Sequence, residues 1–179
     1  TGRIILQKAC PISNTDDAGD LHDKLMLIGS KLVVETLDLI AQGDYQTQDQ
    51  ISSSTDVTTL KTAPKIFKED CRINFKQDIE VCYNHIRGLS PYPGAFTEIL
   101  SPDGKKFLLK IFKTEILDTN YTDKESLKTD GKKYLHISFG KQSLNILELQ
   151  LQGKKRMRTE DLLRGFKIDE NWTIVEKQV

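Results

Sequence analysis

Cysteine is scarce in this sequence, proline is nearly as scarce, tryptophan occurs once, and neither sign of charge predominates. The three cysteines, Cys10, Cys71 and Cys82, are odd in number and match the spacing of no zinc ribbon, finger or redox pair. That excludes a disulfide framework and points to reduced thiols in a cytoplasmic protein, acting as small buried hydrophobes. No apolar run approaches the ~20 residues that a membrane-spanning helix needs. The first residues lack a basic flank, an apolar stretch and a cleavage site in series, so no signal peptide is read there. The three histidines, His22, His85 and His136, are scattered. They form no Ser-His-Asp arrangement and no metal-ligand spacing, so no metal is expected. His22, beside Asp23, is read as part of a polar helix face.

What is present suffices for a packed core. Hydrophobic residues make up 37% of the 179 residues and charged residues 29%, a composition of globular chains and not of disordered ones. The length suits one domain, or a small domain plus part of another. The zero net charge hides an uneven distribution. Residues 1–61 hold 5 basic and 9 acidic side chains, and residues 62–179 hold 21 and 17. An acidic part followed by a basic part hints that the second meets a polyanion.

The chain has no initiator Met and opens on a strand-like run, Arg3-Ile4-Ile5-Leu6-Gln7, which reads as the interior of a domain already under way. After the turn-rich Cys10–Asn14, Thr15-Asp16-Asp17 supplies helix N-cap candidates. Leu21, Leu25, Ile28 and Leu32, extended by Leu39 and Ile40, recur at helical spacing. Gly43 is the stop signal, so a helix is predicted over roughly residues 17–42 with an apolar stripe that needs a partner. Residues 44–62, with Ser52-Ser53-Ser54-Thr55-Asp56, read as a linker. Asp78 to Arg87 carries Ile79, Cys82, Tyr83 and Ile86 at helical spacing, with Gly88 as its end. Ser90-Pro91-Tyr92-Pro93-Gly94 is a rigid turn whose Tyr92 is expected to pack, with stacking on a base as the alternative.

The pattern then becomes strands: Phe96–Leu100, Phe107–Phe112, Tyr134–Phe139 and the alternating Leu144–Leu151. Asp103-Gly104 and Asp130-Gly131 are hairpin cues. Short strands with turn signals over about 100 residues predict a five-stranded barrel of the OB type. Thr159-Glu160-Asp161-Leu162-Leu163 opens a short final helix.

Three pieces, in order and covering nearly the whole chain, resemble methionyl-tRNA formyltransferases. The first is Thr1-Gly2-Arg3-Ile4-Ile5 followed by Asp20-Leu21-His22-Asp23-Lys24-Leu25. The second is Lys65-Ile66-Phe67-Lys68-Glu69-Asp70, Arg72-Ile73-Asn74-Phe75 and Ile86-Arg87-Gly88-Leu89-Ser90-Pro91-Tyr92-Pro93-Gly94-Ala95. The third is Gly153-Lys154-Lys155-Arg156-Met157 with Asp161-Leu162-Leu163. The resemblance implies a mixed α+β chain. Residues 1–43 would be the end of a Rossmann-like formyltransferase domain, 44–72 a linker, and 73–179 an OB-like C-terminal barrel. It implies formyl transfer from 10-formyltetrahydrofolate to the amino group of methionyl initiator tRNA, in translation initiation. The catalytic Asp would immediately precede Thr1, with an Asn and a His further upstream, so the isolated chain is expected to be an inactive, tRNA-binding monomer. The folate would sit mainly in the part upstream.

Within that resemblance, Lys65 and Lys68 of the linker and Lys154, Lys155 and Arg156 after a strand are the candidate tRNA contacts. Lysine and arginine neutralise phosphates and release counterions, which positions RNA without reading its sequence. The bland alternatives are a solvated linker beside Glu69 and Asp70, and protection of a strand edge. For Lys105-Lys106 and Lys132-Lys133 the edge reading is preferred. Two other functions stay open: a sister folate-dependent formyltransferase acting on a nucleotide-sugar amine, and a free-standing OB-like nucleic-acid-binding module. Gly153–Met157 with Asp161-Leu162-Leu163 weighs against the first, and the unpartnered stripe of the long helix against the second.

Overall fold

Residues 2–50 and 61–175 are described by a computed structural model in which the chain forms two compact units, Thr1–Lys65 and Ile66–Val179. The run Ser52–Asp56 read as linker lies outside the described residues. In the first unit the long helix α1 spans Ala18–Gln42. Asp17 caps it, accepting from the amide N–H of Asp20, while the Asp20 carboxylate accepts from the amide of Asp17. This reciprocal pair satisfies two backbone donors that the helix itself cannot. Its last turn closes on Gly43, whose N–H returns to the Ile40 carbonyl. No residue of α1 is fully buried, and Leu25 and Ile40 of the apolar stripe stand exposed. The opening run is not a full strand. Ile4 and Gln48 exchange two backbone hydrogen bonds, 2.7 and 2.8 Å, as an isolated bridge.

The second unit is a nearly closed antiparallel sheet. Its strands are β1 Ala95–Leu100, β2 Lys106–Asp118, β3 Lys124–Thr129, β4 Leu135–Phe139, β5 Gln142–Leu151, β6 Met157–Arg158 and β7 Thr173–Val175, with helix α2 Ile79–Leu89 ahead of β1 and helix α3 Thr159–Gly165 between β6 and β7. The strand order is β3-β4-β5-β2-β1-β7, with β6 pairing on β5. The two ends of that path, β3 and β7, lie against each other. Seven strands therefore stand among the described residues where five were expected. β3, Lys-Glu-Ser-Leu-Lys-Thr, carries a single large apolar residue and shows no alternation, and β6 and β7 are too short to register as a period.

Alternation along the other strands separates inside from outside. Ala95, Thr97 and Ile99 of β1 face Ile111, Leu109 and Phe107 of β2, and Leu109 and Ile111 face Leu151 and Leu149 of β5. Apart from Phe107, which is partly buried, all are at most 1% exposed. With Leu135, Ile137, Leu144 and Ile146 they form the core, because residues two apart on a strand share a face. Helix α2 adds Ile79, Cys82, Ile86 and Leu89 at spacings of three and four. It runs through Gly88 instead of ending there. It stops where Ser90 turns extended (φ −90°, ψ 140°) ahead of Pro91, since proline disfavours helical geometry in the residue before it.

Cys71 and Cys82 are buried and free, as expected, but Cys10 is only half-buried. Burial pushes the Cys82 thiol up to about 11. No helix among the described residues is long and apolar enough to cross a membrane.

Two glycines make the backbone argument testable. Gly94 has φ +85°, and a Cβ there would come within 2.9 Å of the Phe112 ring. Gly88 has ordinary helical φ and open space around it. Gly94→Ala is expected to destabilise the protein by about 1–3 kcal/mol. Gly88→Ala should stabilise it by roughly 0.5–1 kcal/mol. Urea unfolding of the two variants, monitored by Trp172 fluorescence, checks the opposite signs.

Candidate nucleic-acid interface

The side chains that leave the core on β2 and β5 build the outer face of the barrel. Strand pairing puts Lys113 of β2, Glu148 of β5 and Arg158 of β6 in one row. Adjacent strands lie about 4.8 Å apart, so the row is about 10 Å across. The β2–β5 ladder shifts register on both sides of the Lys113–Glu148 pair. These irregularities leave Phe112 on β2 and Leu147 on β5 without a direct partner, and such bulges commonly re-aim a side chain beside a functional surface.

Glu148 is the hub of this face. Its Oε2 accepts from Nε (2.9 Å) and Nη2 (2.7 Å) of Arg156. The same guanidinium lies 4.5 Å from the centre of the Phe112 ring. Ring and carboxylate together hold Arg156 in place, since the cation meets a negative ring face and the planar fork suits the carboxylate. Lys154 and Lys155 sit in the turn between β5 and β6. The Lys154 amide donates to the Leu151 carbonyl, and the Lys154 carbonyl accepts from Gln150, both at 2.9 Å. Lys154 Nζ hangs 5.7 Å over Phe166, and Lys155 is exposed.

Lys154, Lys155 and Arg156 therefore share one turn, and Arg156 is tied through Glu148 to the row that holds Lys113 and Arg158. Lys65 is exposed at the end of the first unit. Lys68 is exposed one residue before a 3-10 turn, Glu69–Cys71, and among the described residues no hydrogen bond or ion pair joins it to the face just described.

Sequence reasoning missed Lys113, assigned Lys133 to edge protection, and counted Arg158 only as a neighbour of Lys154, Lys155 and Arg156 in the basic cluster. Lys113, Lys133 and Arg158 line a cleft of about 310 Å³ together with Asn145, Thr159 and Glu160. No ion pair is made by any of the three cations among the described residues. The acids beside them are engaged elsewhere, Glu148 with Arg156 and Glu160 with Arg164 at 3.6 Å. Lys133, read as edge protection, shares this cleft with Lys113 because β5 pairs with both β2 and β4. Tyr92, expected to pack, is 86% exposed. The inward positions of its turn are taken by Leu89, Ser90 and Gly94, which leaves the ring at the crest in solvent.

The turn that presents Lys133 depends on one carboxylate. Asp130 Oδ1 accepts from the backbone N–H of Lys132 (2.9 Å), Lys133 (2.7 Å) and Tyr134 (3.2 Å). These donors lower its pKa from 3.8 to about 2. A depressed carboxylate stabilises the turn above pH 3.8, and that contribution is lost as the pH falls through about 2. The amide resonances of Lys132 and Lys133 are expected to move together with a midpoint near 2. In Asp130→Asn they should show no such titration, and a midpoint of about 4, the ordinary carboxylate value, in the unaltered protein would refute the reading.

Chemically, the face can neutralise several phosphates, and nothing in it resembles a nucleophile–base pair. No group of three or more His, Cys, Asp or Glu among the described residues could hold a metal ion.

Comparison with known proteins agrees with this architecture. Residues 65–167 match the model of the formyl transferase C-terminal domain. The chain is 42% identical over 173 residues to a methionyl-tRNA formyltransferase of Bacteroides thetaiotaomicron, covering 96% of this chain and 53% of that protein. It is 44% identical over 171 residues to the one of Bacteroides fragilis (95% and 52%). To that of Flavobacterium psychrophilum it is 41% identical over 172 residues (95% and 52%). The chain spans about half the length of the curated relatives it matches. A domain-family match over more than half of the residues places the chain in the formyl transferase C-terminal domain family.

Proposed function

We propose that this chain is the tRNA-binding C-terminal part of a methionyl-tRNA formyltransferase, which passes a formyl group from 10-formyltetrahydrofolate to methionyl initiator tRNA. The observation that carries the reading is the cationic outer face of a barrel belonging to this family: Lys154, Lys155 and Arg156 on one turn, with Lys113, Lys133 and Arg158 beside it. Lysines at a turn tip suit phosphate contacts that orient an RNA without reading bases. In this reading residues 1–43 close a Rossmann-like formyltransferase domain, 44–72 link it to the barrel, 73–179 form an OB-like module, and Lys65 and Lys68 add contacts from the linker.

The residues present do not fit the folate. A pterin ring calls for a largely apolar pocket with a few placed polar groups, whereas the 310 Å³ cleft is walled by lysine, arginine and glutamate. The formyl donor is therefore assigned to residues outside this chain, and no chemical step is assigned to residues within it.

Two measurements test the proposal. The isolated chain should bind initiator tRNA with an affinity that falls steeply with salt, and should transfer no formyl group. Lys154→Ala with Lys155→Ala should reduce the salt slope by up to about 1.8, or about 0.9 for each phosphate no longer neutralised. Arg156→Ala is less clean, because it also uncovers Phe112 and frees Glu148. Indifference to tRNA at low ionic strength would sink the proposal, and so would formyl transfer by the 179 residues alone. Displacement of tRNA by a nucleotide sugar would favour the sister enzyme instead.

A further inference from the structure

We propose that the cleft between β5, β6 and the β3–β4 turn seats one unpaired nucleotide of bound RNA, its phosphate among Lys113, Lys133 and Arg158 and its base against Tyr134. The inference rests on the RNA-binding reading above and names what this part of the surface recognises.

The cations come first. Lys113 and Arg158 flank Glu148 in one row, and Lys133 reaches the same cleft from the turn between β3 and β4. Two of the three come from separate strands and the third from a hairpin turn, so they surround the space from different sides. Glu148 and Glu160 line the same cleft, but their carboxylates are bonded to Arg156 and Arg164, and none of the three cations makes an ion pair among the described residues. A phosphate entering there would meet three donors from different sides.

Aromatic rings adjoin the cleft. Tyr134 follows Lys133 directly, and its ring packs on His136 with centroids 4.4 Å apart and planes 34° apart. His136 is 9% exposed, and the Tyr121 hydroxyl lies 3.3 Å from its imidazole Nδ1. Burial lowers the pKa of His136, so this part of the stack is an uncharged ring. Tyr134 itself is half-buried. His136 pairs with Asn145, which lines the cleft. The His136–Asn145 row and the Glu148 row are three residues apart on β5, about 10 Å at strand rise, and Lys133–Tyr134 bridges that gap along the chain.

A duplex would satisfy the cations but not the ring, because its bases are already stacked on each other. Rings on a sheet face engage bases that have left a stack. A cleft of about 310 Å³ also has room for a phosphate and its ribose, not for a helix.

The test uses the full chain and three fluorescently labelled RNAs: a short oligouridylate, a duplex of the same length, and initiator tRNA. The single strand is expected to bind more tightly than the duplex. Tyr134→Leu should weaken the single strand by roughly 5- to 150-fold, the worth of one base stack, with its salt slope and the duplex affinity unchanged. Tyr134→Phe should retain binding, which separates loss of the ring from loss of the fold. Lys113→Gln with Arg158→Gln should do the reverse, lowering the slope for every RNA. Equal effects of Tyr134→Leu on single strand and duplex would overturn the proposal. So would tRNA and oligouridylate binding that neither set of variants alters. If the oligouridylate binds with these dependences while tRNA does not, the nucleotide seat stands and the tRNA reading falls.

Discussion

Along β2 and β5 the backbone ladder separates a dry side from a charged one, and it loses its regularity only around Lys113 and Glu148. Below that point Leu109 and Ile111 meet Leu151 and Leu149 inside; beyond it Thr114 meets Ile146, again inside. The two shifts cancel, so the inward set stays inward on both sides of the irregularity. A single uncompensated shift would have turned every later side chain over and emptied the core. Because the shifts are paired, Phe112 leaves the core side, lies over Gly94 and under Arg156, and the cationic face gains an apolar floor.

That floor matters to the electrostatics. Arg156 is not a free surface charge: two of its N–H groups are spent on Glu148, while a guanidinium carries about five. It can accept a phosphate with the remaining donors and keep its orientation, giving up little conformational entropy. Lys154 and Lys155 reach out from a turn whose own backbone is fastened to Leu151 and Gln150, so a hydrogen-bonded turn presents exposed charges. The face thus combines a braced donor with solvent-exposed ones, suited to a polyanion whose shape is constant and whose sequence need not be read.

Parts of this are visible from the residues alone. The capping aspartates, the stripe through Leu32 and Gly43 define α1 to within a residue, because helix signals are local. Leu144–Leu151 alternates cleanly and is a strand. Lys154, Lys155 and Arg156 are neighbours in the chain, so their proximity requires no fold. β3 is invisible in the sequence because it is held by pairing with β4 and not by its own pattern. The extension of β2 to Asp118 is hidden by the charged residues that its outer side carries. The exposure of Tyr92 is equally illegible, because a ring between two prolines reads the same whether it points in or out.

What the sequence determined by itself was therefore the local and the periodic: helix ends, alternating strands, hairpin turns and a contiguous basic turn, all governed by interactions within a few residues. What the tertiary structure decided was which distant charges share a surface. Lys113, Lys133 and Arg158 lie up to 45 residues apart and meet because β5 pairs with β2, β4 and β6 at once. Strand register, set by burial of the opposite faces, is a property of the whole sheet and is written in no single segment.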